Sequence, residues 1–213
     1  MGREFIHTFE DWADDYDRSV SGGDLEYQEV FKDYDRILEE VAEHARGSVL
    51  EFGVGTGNLT QKLIKRGLDV TGIEPSEKMR QKAIEKIPQL NVSDGDFLDF
   101  PIPKHTINTI VSSFAFHHLT DDEKDQAIES YSRLLPFNGR IVFADTLFDS
   151  ELEKKKVHRW ANMNGYTHLL KDLRTEYYPL RGTLYTAFRK HHFVPYFKQL
   201  NRFAWLIVAE KKE

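Results

Sequence analysis

Cysteine is absent from this 213-residue chain. No disulfide framework, thiolate nucleophile or Cys-based zinc site can therefore form. No window approaches the ~18 consecutive apolar residues of a membrane span. Positive charge is outnumbered and dispersed: 29 Lys and Arg face 35 Asp and Glu, for a net charge of −6. Nucleic acids and other polyanions are held by clustered Lys and Arg, so such partners are disfavoured. The N-terminus carries acidic residues and no continuous apolar run. A signal peptide is not expected there, and the expected location is the cytoplasm. Internal repeats and low-complexity linkers are also missing.

The residues that are present suit one globular domain. Its length is enough to bury a sizeable core. Apolar content of 40% and charged content of 30% are ordinary for such a domain. Aromatic residues are plentiful, with 15 Phe, 9 Tyr and 3 Trp. They can fill a core and also line a pocket.

Periodicity divides the chain. Phe5, Phe9, Trp12 and Tyr16 recur at helical spacing over 4–17, and Ser21-Gly22-Gly23-Asp24 breaks that pattern. A second helix is predicted over 25–45, with Val30, Phe31, Tyr34, Ile37, Leu38 and Val41 on one face. Strands and helices then alternate. Strands are predicted over 48–52, 69–74, 90–93, 108–113 and 139–144. Helices are predicted over 58–66, 76–87 and from the capping box Thr120-Asp121-Asp122-Glu123 to about Leu135. Such alternation implies a doubly wound α/β fold, a parallel sheet with helices on both faces. A polar helical region over 151–173 follows, then a short helix over 183–190 and an apolar hairpin over 193–210.

Candidate chemistry lies at the ends of the predicted strands. The first strand runs into Glu51-Phe52-Gly53-Val54-Gly55-Thr56-Gly57. Alternate glycines let the backbone turn sharply against a ligand. The spacing is G-x-G-x-G, whereas the dinucleotide-binding turn is G-x-G-x-x-G. An acidic residue beside the turn, Glu51, suits a cationic ligand. Glu74 ends the second strand, 21 residues after Gly53, where this architecture places a carboxylate on ribose hydroxyls. Asp96 follows the third strand and can accept from an exocyclic amine, with Phe97 as a wall for the base. His117 and His118 follow the fourth strand. Either can act as a base or orient a substrate, and either can serve only a structural hydrogen bond. As a metal pair they lack third and fourth ligands at suitable spacing, so no metal site is expected.

In that order, these motifs resemble the class I S-adenosylmethionine-dependent methyltransferases. The core similarity covers about Val41 to Thr146. It is closer to the YrrT-type bacterial methyltransferases, through the Gly-Arg-Glu-Phe-Ile start, the Glu-Phe-Gly-x-Gly-Thr-Gly-Asn-Leu-Thr block and the Phe-Ala-Asp-Thr strand end. The resemblance implies a Rossmann-like seven-stranded sheet, order 3-2-1-4-5-7-6, with strand 7 antiparallel. It implies S-adenosylmethionine as cofactor and S-adenosylhomocysteine as product. Residues 1–45 would form lid helices, 46–147 the cofactor-binding core, 148–192 a helical substrate-side segment and 193–213 the terminal hairpin. Glu51, Gly53, Gly55, Gly57, Glu74, Asp96 and Phe97 would hold the cofactor, with Phe9, Trp12 and Tyr16 closing over it. Two departures stand out: Asn108 where the fourth strand commonly opens with Asp, and Pro136-Phe137-Asn138-Gly139 where Pro-Gly-Gly is common. Asn tolerates the left-handed conformation, so the second turn is expected to be kept.

Further absences narrow the acceptor. Without cysteine, a cytosine-C5 mechanism is excluded. No Asn/Asp-Pro-Pro-Tyr tetrad occurs, and no carboxylate ends strand four, so a catechol-type magnesium site is not expected. A small-molecule acceptor remains. Two rivals stand beside this reading: a protein that binds the cofactor or its product without catalysis, and a nicotinamide-dependent dehydrogenase.

Overall fold

The computed structural model describes residues 5–212, without the side chains of Thr8, Phe9 and Asp11. Residues 2–4 of the expected family start, and the expected role of Phe9, lie outside the described residues.

The chain opens with α1 (Ile6–Trp12) and α2 (Tyr16–Arg18), continued by a π-helical turn over Ser19–Gly23. The helix predicted over 25–45 is shorter than its pattern. Only α3 (Tyr34–His44) is regular. Asp33 stands at φ 61°, ψ 29°, a left-handed conformation through which a right-handed helix cannot run. Asp24 also caps a turn, its Oδ1 accepting from Glu26 N at 3.0 Å. Side-chain hydrogen bonding therefore competes with helix over 25–32. Val30 and Phe31 are still buried, alongside Ile37, Leu38 and Val41 of α3.

From there the elements alternate as the periodicity predicts: β1 (Ser48–Phe52), α4 (Asn58–Lys65), β2 (Asp69–Ile73), α5 (Glu77–Lys86), β3 (Asn91–Ser93), β4 (Thr109–Ser113), α6 (Asp121–Leu134) and β5 (Arg140–Thr146). Ser76 caps α5 by accepting from Met79 N, and Thr120 with Glu123 closes the capping box of α6. Asn138 adopts φ 61°, so the Asn-for-Gly departure keeps its turn. Asn108 has its own task, its Oδ1 accepting from Ser48 N at 3.0 Å to fix the entry of β1. The predicted helical region 151–173 is two helices, α7 (Glu151–Met163) and α8 (Thr167–Thr175), separated by a turn at Gly165. Then come α9 (Arg181–Lys190), β6 (Phe193–Gln199) and β7 (Ala204–Lys211).

The seven strands form one sheet in the order β3-β2-β1-β4-β5-β7-β6. β1 to β5 pair in parallel, and β7 runs antiparallel to β5 and β6. Side chains alternate between two cores, as strand geometry requires. Val49 and Val111 join α3 and α4 on one face. Leu50 and Ile110 join α6 and α9 on the other. Both faces are covered, so the central strands β1, β4 and β5 are buried along nearly their whole length, polar residues included. The ring of Phe52 at the end of β1 stacks on Phe97 and Tyr131, with centroids 5.3 and 5.2 Å away. That stack holds the carboxyl ends of the parallel strands, where ligands of such sheets bind. Among the described residues, no helix is long and apolar enough to cross a membrane.

Candidate functional site

The glycine turn leaves β1 at its carboxyl end and leads into α4. Gly53 and Gly55 stand at φ 67° and 56°, conformations that favour glycine. A Cβ at Gly53 would lie 2.9 Å from Ala115 Cβ, whereas a Cβ at Gly55 would meet nothing within 4 Å. Gly55 thus opens onto a cleft whose other walls include Glu74, Asp96, Phe97, Tyr16 and His118. Gly57 serves packing instead, facing Ile87 and Ala83 of the α5 region.

Glu74 follows β2 and is 5% exposed. Its two oxygens accept from Gly55 N at 2.8 Å and from Ser76 N at 2.9 Å. Each carboxylate oxygen has two lone pairs, so acceptor capacity remains for a diol. Burial pushes its pKa up to about 7, against the two backbone donors and the charge of Arg80. Asp96 is fixed by accepting from Leu98 N and Asp99 N, each at 2.9 Å. Phe97 lines the cleft while stacked in the core. The cleft thus offers a carboxylate after the second strand, another after the third, the Phe97 ring and a glycine turn with open space, a set that can accept from hydroxyls and amines and pack a flat ring.

Glu51 sits elsewhere. It is 1% exposed and does not line the cleft; its Oε2 accepts from Thr60 Oγ1 of α4 at 2.7 Å. Burial, with a smaller contribution from Glu74, pushes its pKa up to about 8. Its contact is with α4.

The N-terminal segment covers the cleft. Asp17 accepts from Thr56 Oγ1 of the glycine turn at 2.6 Å, from Asn58 Nδ2 at 3.0 Å and from Lys86 Nζ at 2.8 Å. Glu10 accepts from Ser76 Oγ at 2.7 Å, and Asp14 pairs with Lys82 at 2.7 Å. Tyr16 lines the cleft. Trp12 does not line it. Its Nε1 donates to Ser19 Oγ, and its ring lies 5.1 Å from Tyr16 on the wall of a second cavity.

That second cavity, of about 440 Å³, lies under α8 and the 176–178 segment, with Tyr27, Phe31, Asp172 and Phe203 among its walls. Tyr16, Phe114 and His118 line both spaces and form the partition between them. Phe114 holds φ 51°, a costly conformation for a bulky residue and one of the kind that clusters at functional sites.

Both histidines are 7% exposed on a 3₁₀ turn, Phe116–His118. His117 Nδ1 lies 2.5 Å from Asp145 Oδ1 of β5, and its Nε2 lies 3.4 Å from Glu176 Oε2. Burial works against charge on His117 and Glu176 alike. Charge attraction outweighs it on both: Asp145 and then Glu176 push His117 up to about 10, and His117 brings Glu176 down to about 2. His118 goes the other way, lowered to about 3 by burial and by the His117 charge. One histidine is thus held charged and its neighbour neutral. Lys124, 1% exposed, ties this loop to the next by donating to Leu119 O and to Tyr177 O.

Asp17, Glu176 and Lys124 are not singled out by the sequence reading. Glu176 is 58 residues beyond His118, and no spacing rule connects them. Its one local signal is an acid set against two tyrosines, Tyr177 and Tyr178, in a segment without helical periodicity.

The comparisons agree with this architecture. A family model described as "Methyltransferase domain" matches residues 49–139. The uncharacterized methyltransferase GK2543 of Geobacillus kaustophilus is 52% identical over 213 residues, covering 100% of this chain and 99% of its own. The uncharacterized methyltransferase OB1106 of Oceanobacillus iheyensis is 50% identical over 211 residues, covering 99% of each. Human N-acetylserotonin methyltransferase, solved in complex with SAM, shares the fold at a TM-score of 0.66 and 17% identity, covering 87% of this chain and 54% of that one. The chain belongs to the class I S-adenosylmethionine-dependent methyltransferases, within a bacterial family whose members match it from end to end.

Proposed function

We propose that this protein transfers the methyl group of S-adenosylmethionine to a small-molecule acceptor held in the 440 Å³ cavity. The observation that carries the proposal is the shared partition. Tyr16, Phe114 and His118 border both the glycine-turn cleft and the larger cavity, so a ligand in one meets a ligand in the other there. The cavity's volume lies within the roughly 300–1,000 Å³ of small-molecule sites. Its aromatic lining and the absence of basic clusters fit a small molecule better than a polyanion.

When bound, S-adenosylmethionine supplies a methyl carbon already activated by positive sulfur. Glu74 is the residue proposed for the ribose hydroxyls, Asp96 for the adenine amine, Phe97 for the base, and Gly53 and Gly55 for close backbone approach. Glu51 and Gly57 support from behind by bracing the turn against α4 and α5. Tyr16 closes the cleft, with Trp12 packed behind it. The cleft is narrow under this segment, about 70 Å³. A nucleoside-sized ligand therefore needs residues 6–23 to withdraw and re-close, which excludes water and aligns the two reactants. Alignment alone can contribute roughly 7–11 kcal/mol. His118, at the partition and held neutral with its pKa lowered to about 3, is a weak base, so its proposed part is to accept a hydrogen bond from the acceptor and orient it; His117, held charged between Asp145 and Glu176, orients the acceptor as a donor.

The test is methyl transfer from isotope-labelled S-adenosylmethionine to a metabolite library, read by mass spectrometry. Label in one or a few acceptors of cavity size supports the reading. Tight cofactor binding with no transfer to any acceptor favours a binding protein instead.

A further inference from the structure

Folding gives the histidine pair a third partner. His117 Nε2 stands 3.4 Å from Glu176 Oε2, and His118 Nδ1 stands 3.9 Å from Glu176 Oε1. One candidate ligand atom from each of the three lies within 4.8 Å of the others. A tetrahedral ion with metal–ligand bonds of roughly 2.0–2.2 Å separates its ligand atoms by about 3.3–3.6 Å. The carboxylate distances are close to that spacing, and small rotations of two imidazoles supply the rest. Adjacent histidines seldom aim at one point. Here the 3₁₀ turn brings their ring centroids to 4.2 Å.

We propose that His117, His118 and Glu176 bind a divalent transition-metal ion of the zinc type, with Asp145 as its positioning residue. Two nitrogens and one carboxylate match zinc-class ions and not magnesium or calcium, which take oxygen ligands. The His117–Asp145 contact, at 2.5 Å, has the form of the carboxylate–histidine–metal arrangement, in which the Nδ1 proton is fixed and Nε2 is left to the metal. The site is braced on the far side as well. Tyr178 OH donates to Glu176, and Tyr177 N donates to His117 O at 3.1 Å. A bound ion takes the place of the His117 Nε2 proton that faces Glu176. All three ligands line the larger cavity. The fourth position therefore faces the space assigned to the acceptor, as in zinc sites that keep one position open. An acceptor's heteroatom coordinated there becomes more acidic. In that state His118 Nδ1 is a ligand, and activation of the acceptor falls to the ion.

The location of the open position rests on the proposed function, but ion binding does not. The experiment strips the full chain with a chelator and titrates it with Zn²⁺ by calorimetry and with Co²⁺ by visible absorption. The expected result is one ion per chain, with the intense cobalt bands of a low-coordinate histidine site. Glu176→Gln and His118→Gln should each weaken binding at least ~10-fold, and Asp145→Asn by about 10–100-fold. Circular dichroism and thermal melting serve as the fold check for each variant. No saturable binding to the wild type overturns the proposal, as does binding unchanged in both Glu176→Gln and His118→Gln. Ion binding without methyl transfer would leave this site standing and count only against the proposed function.

Discussion

Asp17 Oδ1 lies 2.6 Å from Thr56 Oγ1, joining the N-terminal segment directly to the glycine turn. The same carboxylate also accepts from Asn58 and Lys86. Asp17 is half exposed, so the contribution of each contact is modest, about 1 kcal/mol or less. Asp17→Ala should leave thermal stability nearly unchanged, speed deuterium uptake over residues 6–23 and weaken S-adenosylhomocysteine binding about fivefold. Unchanged uptake in that segment would mean that Asp17 does not hold the lid.

Glu74 predicts a pH dependence of binding. Its folded pKa of about 7 is set by burial, with Gly55 N, Ser76 N and the Arg80 charge opposing and the Glu10 charge adding to it. Hydroxyl donors of a ribose favour the ionised carboxylate. Affinity for S-adenosylhomocysteine should therefore rise as pH rises through about 7 and level off above it. Glu74→Gln should flatten that profile and lower affinity by roughly 10–100-fold, the scale of hydrogen bonds to a charged group. Calorimetry at several pH values reads both effects.

Glu51 predicts a pH dependence of stability. Its carboxyl is raised from 4.5 to about 8, so the folded state holds its proton more tightly than the unfolded state. Stability is then lost as pH rises from 4.5 through 8 and is level beyond. Glu51→Gln keeps an acceptor for Thr60 and removes the buried charge. Its unfolding free energy relative to wild type should grow across that window, by up to about 5 kcal/mol above pH 8. Urea melts at pH 5 and pH 9 measure the difference.

The two central glycines should separate folding from binding. Gly53→Ala puts a Cβ 2.9 Å from Ala115, so the turn itself must shift. Gly55→Ala meets no neighbour and carries only the left-handed strain, about 1–2 kcal/mol. Gly55→Ala should remain folded by circular dichroism yet lose cofactor binding, because its methyl group enters the cleft. Gly53→Ala should lower the melting temperature more.

Much of this was legible in the sequence because it is local. Glu51 to Gly57, Ser76 and the Thr120–Glu123 box act over a few residues, and alternation of apolar runs fixes the parallel core. Helix 25–45 failed because Asp24 and Asp33 redirect the backbone at single positions, while the apolar pattern that burial demands continues through the turns. The acceptor-side chemistry was hidden for a different reason. His117 meets Asp145 across a strand pairing and Glu176 through a loop pinned by Lys124, and no periodicity encodes either contact. Asn108 stands out in the sequence only as a departure from the family pattern, and its structural task, tying the start of β1, is a contact 60 residues away in the chain.

The most direct test of the account is a calorimetric titration of the wild type and Gly55→Ala with S-adenosylhomocysteine, S-adenosylmethionine and NAD. The account predicts one-to-one binding of both S-adenosyl ligands to the wild type, no heat with NAD, and no binding to Gly55→Ala. Binding of NAD in place of the S-adenosyl ligands, or equal binding of S-adenosylhomocysteine to the two proteins, would contradict it.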